Sequence, residues 1–424
     1  MQQPVSRRRF LSSAAAASAA FTIVKPALVR GAGNEKLKAG LIGCGGRGTQ
    51  AVQNILTGCD NVEIVAMADI FEDRLEDSLR KSAALAPELS ARFKVDPEHR
   101  FVGFDGYKKV LASGIDIVML ATPPAYRPIH FEAAVEARKH IFCEKPAGTD
   151  AVNVRRFMAA ARRSQELKLT VKSGAQRRSQ AWYLDWYKRV KNGEIGEIVA
   201  LYANWLGSPV LQFNAWPNKK RNPNWSDMEF QNRGWYSFVW ICGDQIVEQH
   251  LHNIDVCNWF MGTHPVEVVA SGGAAWRPHE EEYGNIYDHL SADFVYPNGV
   301  HMASYCRQYP APAPQNVSER IVGSKGVMDS APLRGVKPPF DPYVQEHIDM
   351  AASILGNGPY INESMAVAES TLTCIMGREA AYSGQKITWD MIMNSQRDLL
   401  PKSFDYKDAV PAPPLPVPGV YQFV

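Results

Sequence analysis

Three side chains in this 424-residue sequence could together move a proton off an alcohol. They are Lys145, in Glu144-Lys145-Pro146, and His252 with a neighbouring acid, in Glu248-x-x-x-His252-x-x-Asp255. On one helix, positions 248, 252 and 255 stand at i, i+4 and i+7 and share a face. An imidazole titrating near neutrality can take a hydroxyl proton as general base. A lysine hydrogen-bonded to the same oxygen stabilises the negative charge that develops there. Glu248 or Asp255 would orient His252 or bind a neighbouring hydroxyl. With a hydride acceptor beside them, these groups can oxidise a secondary alcohol. An i,i+4 acid–histidine pair can also hold a metal, and His250 looks like a third ligand. Positions 250 and 252 point to nearly opposite faces of a helix, however, so the reading carries no metal.

The acceptor is supplied by a second pattern. Gly43-Cys44-Gly45-Gly46-Arg47-Gly48 is a dinucleotide-binding fingerprint. It follows the apolar run 37–42 and opens a helix, so the glycines let backbone approach a pyrophosphate at a helix N-terminus. Asp69 ends the next apolar run, where a carboxylate binds ribose hydroxyls and repels a 2′-phosphate. NAD is therefore expected in preference to NADP. Arg47 either touches phosphate or is solvated.

The elements that position these groups alternate at first. Strands are expected at 37–42, 62–68, 115–121, 140–143 and 167–173, and helices at 49–56, 72–85, 130–139 and from Thr149, as cap, to 163. Short connections imply a doubly wound parallel sheet, with Lys145 just past the carboxyl end of a strand. After Gln176 the pattern changes. A helix at 181–191 and a strand at 197–205 precede a mostly irregular tryptophan-rich stretch to 240. A helix at 245–260 follows, then strands at 266–271, 289–296, 300–308 and 319–322, typical of an antiparallel sheet. Helices at 343–355 and 364–382 come before a proline-rich arm at 410–418, read as extended.

Composition excludes some partners. The net charge of +2 gives no footprint for nucleic acid, and no apolar run reaches membrane-spanning length. Seven scattered cysteines form no C-x-x-C pair, against a zinc ribbon or disulfide framework. Trp205, Trp216, Trp225, Trp235 and Trp240 crowd one stretch with Tyr236, and aromatic faces suit the C–H faces of pyranose rings. Trp235 and Tyr236 are taken as substrate-binding candidates, with Arg177, Arg178 and Tyr305 to hold hydroxyls or carboxylates.

These motifs together resemble the glucose–fructose oxidoreductase / inositol dehydrogenase / rhizopine-catabolism (Gfo/Idh/MocA) family. The resemblance runs from Lys36 to about Trp389. It rests on the glycine loop with Asp69, on Ala121-Thr122-Pro123-Pro124 with His130, and on Glu144-Lys145-Pro146. His252-x-x-Asp255 and the late Gly384-Gln385-Lys386-Ile387-Thr388-Trp389 complete it. It implies Lys145 and His252 as the catalytic pair, with Asp255 and Glu248 beside them. It also implies a cofactor lying against Gly43, Gly45, Gly46, Arg47, Gly48, Asp69, Thr122, Pro123, His130, Glu144 and Lys145. The implied fold is α/β: an N-terminal Rossmann domain at 36–176, then an α+β domain with a large open antiparallel sheet at 177–390, and an arm at 391–424. That sheet would pack on another subunit, giving a homodimer or homotetramer. The family often has Asp and Gly where this chain has Glu248 and His250, which reshapes the pocket.

Ser6-Arg7-Arg8-Arg9-Phe10-Leu11, followed by a soft apolar run to Val24, reads as a twin-arginine signal within residues 1–33. That route carries folded proteins, so the cofactor would be loaded before export to the periplasm. No nicotinamide pool regenerates it there. The expected chemistry is therefore hydride transfer from a sugar, polyol or glycoside hydroxyl with tightly held NAD. The alternative is a redox-neutral glycosidase, in which transient C3 oxidation acidifies the C2 proton and permits elimination. The arm would wrap a neighbouring subunit or remain an unstructured tail.

Overall fold

A computed structural model describes residues 36–333 and 335–424; the twin-arginine segment lies outside the described residues. The first half runs β1 (Leu37–Ile42), α1 (Gly46–Gly58), β2 (Val62–Asp69), α2 (Glu72–Ala83), β3 (Arg100–Val102), α3 (Gly106–Ala112) and β4 (Ile117–Leu120). It continues through α4 (Arg127–Glu136), β5 (His140–Cys143), α5 (Ala151–Glu166) and β6 (Val171–Ser173). All six strands pair parallel, in the order β3-β2-β1-β4-β5-β6. Ile117-Val118-Met119-Leu120 is buried at every position, as a strand covered by helices on both faces must be. Strand order reverses between β1 and β4, so a crevice opens beyond their carboxyl ends.

Two local expectations are corrected. α1 begins at Gly46, inside the glycine loop, rather than at 49. The α5 cap is Asp150, not Thr149: its carboxylate accepts from the Asn153 amide at 2.8 Å.

The second half contains α6 (Ala181–Lys191), β7 (Ile198–Gly207), α7 (Asp227–Arg233), α8 (Gln245–Glu248), α9 (Leu251–Met261), β8 (Glu267–Gly273), β9 (His289–Val295) and β10 (His301–Gln308). β11 (Asn316–Gly323), β12 (Val327–Asp329), α10 (Pro342–Ile354), α11 (Ser364–Ser383) and β13 (Ile387–Thr388) follow. Seven strands form an open sheet in the order β12-β11-β7-β10-β9-β8-β13. It is mixed rather than wholly antiparallel, because β10 pairs parallel with β7. One face is covered by α9 and α11. α11 also packs on α5 of the first half and is buried almost all round, with its Arg378 and Glu379 paired to each other in the interior. The other face is open. Tyr305 lies there opposite Asn204 and Ser291, with Tyr202 two residues along β7 on the same side.

The expected helix over 245–260 is two helices, α8 and α9, broken at Gln249-His250. Asp244 starts the first, with φ +79. Its Oδ1 accepts from the Gln245 amide at 2.5 Å, and its Oδ2 from the Tyr287 amide at 2.9 Å and the Tyr382 hydroxyl. α10 then crosses back to the first half, where Ile348, Met350 and Ala351 join Leu41 and Ile55 in one core.

The arm is extended, as expected, but it neither hangs free nor reaches away from its own chain. Asn285 donates to the Pro413 carbonyl at 3.0 Å, Tyr287 to that of Pro416 at 2.7 Å, and Gln231 to that of Val410. Tyr421 donates to Glu379 of α11 at 2.9 Å. All seven cysteines are buried and unbridged.

Candidate active site

The crevice between the halves holds a cavity of about 450 Å³. Its dinucleotide end is built by the glycine loop. Gly43 has φ +97, and a Cβ there would stand 2.6 Å from the Thr122 amide nitrogen. A Cβ on Gly48 would stand 1.9 Å from the Gly43 carbonyl oxygen, so α1 can start this close to β1 only with glycine. Gly45 and Gly46 have nothing within 4 Å of such a position, leaving the loop open to an incoming phosphate at the α1 N-terminus. Asp69 lines the same cavity. Its carboxylate accepts from the Cys44 amide at 2.6 Å and the Phe71 amide at 2.9 Å. Burial pushes its pKa up, and those two amides oppose the shift. Each oxygen keeps a lone pair for a ribose hydroxyl. The loop and the acid together fit a dinucleotide without a 2′-phosphate.

Arg47 lines the cavity with its guanidinium paired. Glu144 accepts from its Nε, and the Tyr343 ring lies 4.6 Å from its guanidinium carbon. Thr122, Pro123 and His130 form the facing wall. His130 Nδ1 is 3.3 Å from Thr122 Oγ1, and its ring lies 4.4 Å from that of Tyr107. Burial, aided by Arg127, pushes its pKa down to about 3, so it is a neutral part of the wall. Arg127, which the sequence reading missed, donates to the carbonyls of Pro146, at 2.5 Å, and Thr122. It thereby ties the Glu-Lys-Pro segment to the Thr-Pro-Pro segment. Its signal was only a charge at the start of a helix.

Lys145, Glu248 and His252 meet in the cavity. The Lys145 ammonium donates to Glu248 Oε1 at 2.9 Å and to the Glu248 carbonyl at 2.5 Å. Tyr236 donates to the other carboxylate oxygen, so it braces Glu248 and is not among the residues lining the cavity. His252 is half-buried, with its ring over Trp205 at 6.0 Å and 22°. Burial first, then Lys145, Arg177 and Arg47, drive its pKa well below the usual histidine range. It is therefore a neutral acceptor at pH 7.

The expected orientation of His252 by an acid is not found. Asp255 forms a two-pronged pair with Arg178, both distances 2.8 Å, and accepts from Ser370 at 2.8 Å. Glu248 is held by Lys145 and Tyr236. Glu248 and His252 line the cavity, and Asp255 does not. His250 bonds Ser304 at 2.8 Å, away from any shared ligand set. Arg177 is committed to Glu319, which also accepts from Tyr183 at 2.6 Å. Tyr305, at 45% exposure, lies on the open sheet face rather than in the cavity. Trp235 does line it, with Gln176, Gln212, Asn232 and Tyr126. The amides come from stretches with no periodic pattern and were not foreseen.

Comparison with known proteins agrees with this geometry. Residues 37–173 match the oxidoreductase family with an NAD-binding Rossmann fold, and residues 183–329 match the Gfo/Idh/MocA C-terminal domain. An uncharacterised oxidoreductase of Bacillus subtilis is 26% identical over 63% of this chain and 65% of its own length. The chain thus spans less than two thirds of that relative. A glycosyl hydrolase family 109 protein of Stenotrophomonas maltophilia is 25% identical over 79% of this chain and 77% of its own. The fold matches a solved scyllo-inositol dehydrogenase of Lactobacillus casei with NAD(H) and scyllo-inositol, at TM-score 0.64 and 20% identity, over 84% of this chain and 99% of that one. A nucleotide-binding loop, a lysine and a neutral histidine thus share one cavity between two matched domains, and the chain belongs to the Gfo/Idh/MocA oxidoreductase family.

Proposed function

We propose that this protein is an exported oxidoreductase with tightly held NAD that takes hydride from a secondary hydroxyl of a neutral sugar, polyol or glycoside. One observation carries the reading: Lys145 and His252 line the same cavity as the glycine loop and Asp69. When bound, NAD supplies the two-electron acceptor. The chain supplies the rest. His252, kept uncharged by burial and by its cationic neighbours, takes the hydroxyl proton. Lys145, fixed by Glu248, donates to the same oxygen and stabilises its developing charge. Trp235 offers an apolar face, and Gln176, Gln212 and Asn232 offer uncharged polar contacts. Four cations near the catalytic pair are engaged, Lys145 by Glu248, Arg47 by Glu144, Arg177 by Glu319 and Arg178 by Asp255, while Arg74 and Arg127 also line the cavity. A sugar acid therefore finds no unpaired cation among these four, which favours a neutral saccharide over a uronate.

Mass spectrometry of dinucleotide released from denatured mature protein tests retention. Near-stoichiometric NAD is expected; an empty site returns the enzyme to exchange with a free pool. Lys145→Ala and His252→Ala should each slow hydride transfer by about 10²–10⁴-fold with bound nucleotide still present. Wild-type reduction of the cofactor by both variants, across a panel of neutral sugars and uronates, would sink the assignment.

A second reading is redox-neutral glycoside cleavage. It is favoured by the long alignment with the glycosyl hydrolase family 109 protein. It predicts release of nitrophenol from a nitrophenyl glycoside without added NAD. Ketosugar formation with no such release would count against it. We also propose that the open sheet face packs on a second copy, making a homodimer or homotetramer.

A further inference from the structure

The arm crosses from one half to the other over the end of the cavity where Asp69 stands. On the first half, the Leu399 amide donates to Asp150 at 3.2 Å, and the Tyr406 hydroxyl donates to the Ile70 carbonyl. The Phe404 ring stacks on Phe104 at 6.0 Å and meets Tyr126 at 5.3 Å. The Tyr406 ring packs on Phe104 at 4.8 Å and reaches Phe71 at 6.5 Å. Ile70, Phe71, Phe104 and Tyr126 all line the cavity, and Ile70 directly follows Asp69. On the second half, Ser226 donates to the Tyr406 carbonyl, and the Val410 amide donates to Asp227 at 3.3 Å. At the same end Arg233 of α7 lies 4.0 Å over the Phe71 ring and pairs with Asp73 at 3.2 Å.

We propose that Phe404 and Tyr406 are positioning residues for the cofactor: they back the wall of its adenosine end and tie the halves together, so nucleotide leaves only when the arm lifts. This rests on the reading of retained NAD. The arm touches the wall from behind, through the one segment whose backbone carries the ribose acid. Loosening Tyr406 frees Ile70 and, with it, the loop after Asp69. Loosening Phe404 frees Phe104 and Tyr126 together. Bonds to both halves also oppose the hinge opening that would widen the crevice.

The test loads the full-length protein with NAD, chases with excess isotope-labelled NAD and follows exchange of the bound nucleotide by mass spectrometry. Tyr406→Phe removes one half-buried hydrogen bond and should speed exchange about tenfold. Phe404→Ala should speed it by a similar factor or more, and Phe404→Tyr, which keeps the ring, should restore the slow rate. Tyr421→Phe is the control. It loses the bond to Glu379 farther along the arm, so it can lower the melting temperature but should leave exchange unchanged. Exchange at the wild-type rate in Tyr406→Phe and Phe404→Ala overturns the proposal. So does equal acceleration in Tyr421→Phe, which would reduce the effect to general loosening. Wild-type protein that exchanges quickly, with the two arm variants quicker still, would leave the arm's role standing and remove the retained-cofactor reading.

Discussion

His252 is uncharged at neutral pH because burial and three nearby cations disfavour its imidazolium. The sign of the pH effect follows. A base whose pKa lies well below 6.5 stays ready to accept a proton as pH falls through that value. Single-turnover hydride transfer should therefore be flat from pH 8 to below 6.5, and its acid limb should begin lower than for an ordinary histidine. Nicotinamide absorbance in rapid mixing measures this; a limb centred at 6.5 would show a solvated ring. Glu248→Gln leaves Lys145 facing a neutral amide and should slow transfer on the order of tenfold, through a lost charged hydrogen bond. The identities of these residues were legible in the sequence because each sits in a short, spaced motif. Their partnerships were not. Asp255 looked like an aid to His252 by spacing alone, but its partner Arg178 is 77 residues away in the chain and adjacent only once α9 docks.

α8 carries Glu248, whose carboxylate is held by Lys145 and Tyr236. Asp244 holds the start of α8 with a positive φ and a carboxylate accepting from two amides and the Tyr382 hydroxyl. Asp244→Ala removes a cap and strands buried donors, for a loss of about 2–4 kcal/mol. Thermal melting should show it, with hydride transfer reduced beyond what residual folding explains. An unchanged melting temperature would mean that Tyr287 and Tyr382 find other acceptors. The break between α8 and α9 was hidden from the sequence because apolar residues continue at helical spacing through 249–250. The central parallel strands were legible for the opposite reason: they are short, mostly apolar runs. β3 escaped notice because its three residues lie at the sheet edge with no apolar run. α10 showed its own period but not its destination against α1.

For the whole molecule, the open sheet face is the surface that the proposed assembly would cover. Tyr202 and Tyr305 are both exposed on this face, diagonal to each other across β7 and β10. Tyr305→Asp should shift the mass in light scattering toward the monomer without altering bound nucleotide. A wild-type monomer, or an unmoved mass, would place the assembly elsewhere. The two-domain plan was legible because regular strand–helix alternation gives way to a run of strands typical of an antiparallel sheet. The path of the arm was not, since proline-rich sequence specifies extension and not a track. The seven buried thiols carry a separate consequence. Cys44 lies beneath the glycine loop, Cys59 beneath α10, Cys143 beside Glu144, and Cys242, Cys257, Cys306 and Cys374 in the core of the second half. Each becomes alkylated only when its own neighbourhood opens. Peptide-resolved labelling by a thiol reagent over time would thus time-stamp the order in which loop, crevice and sheet come apart, with no foreign probe added to the chain.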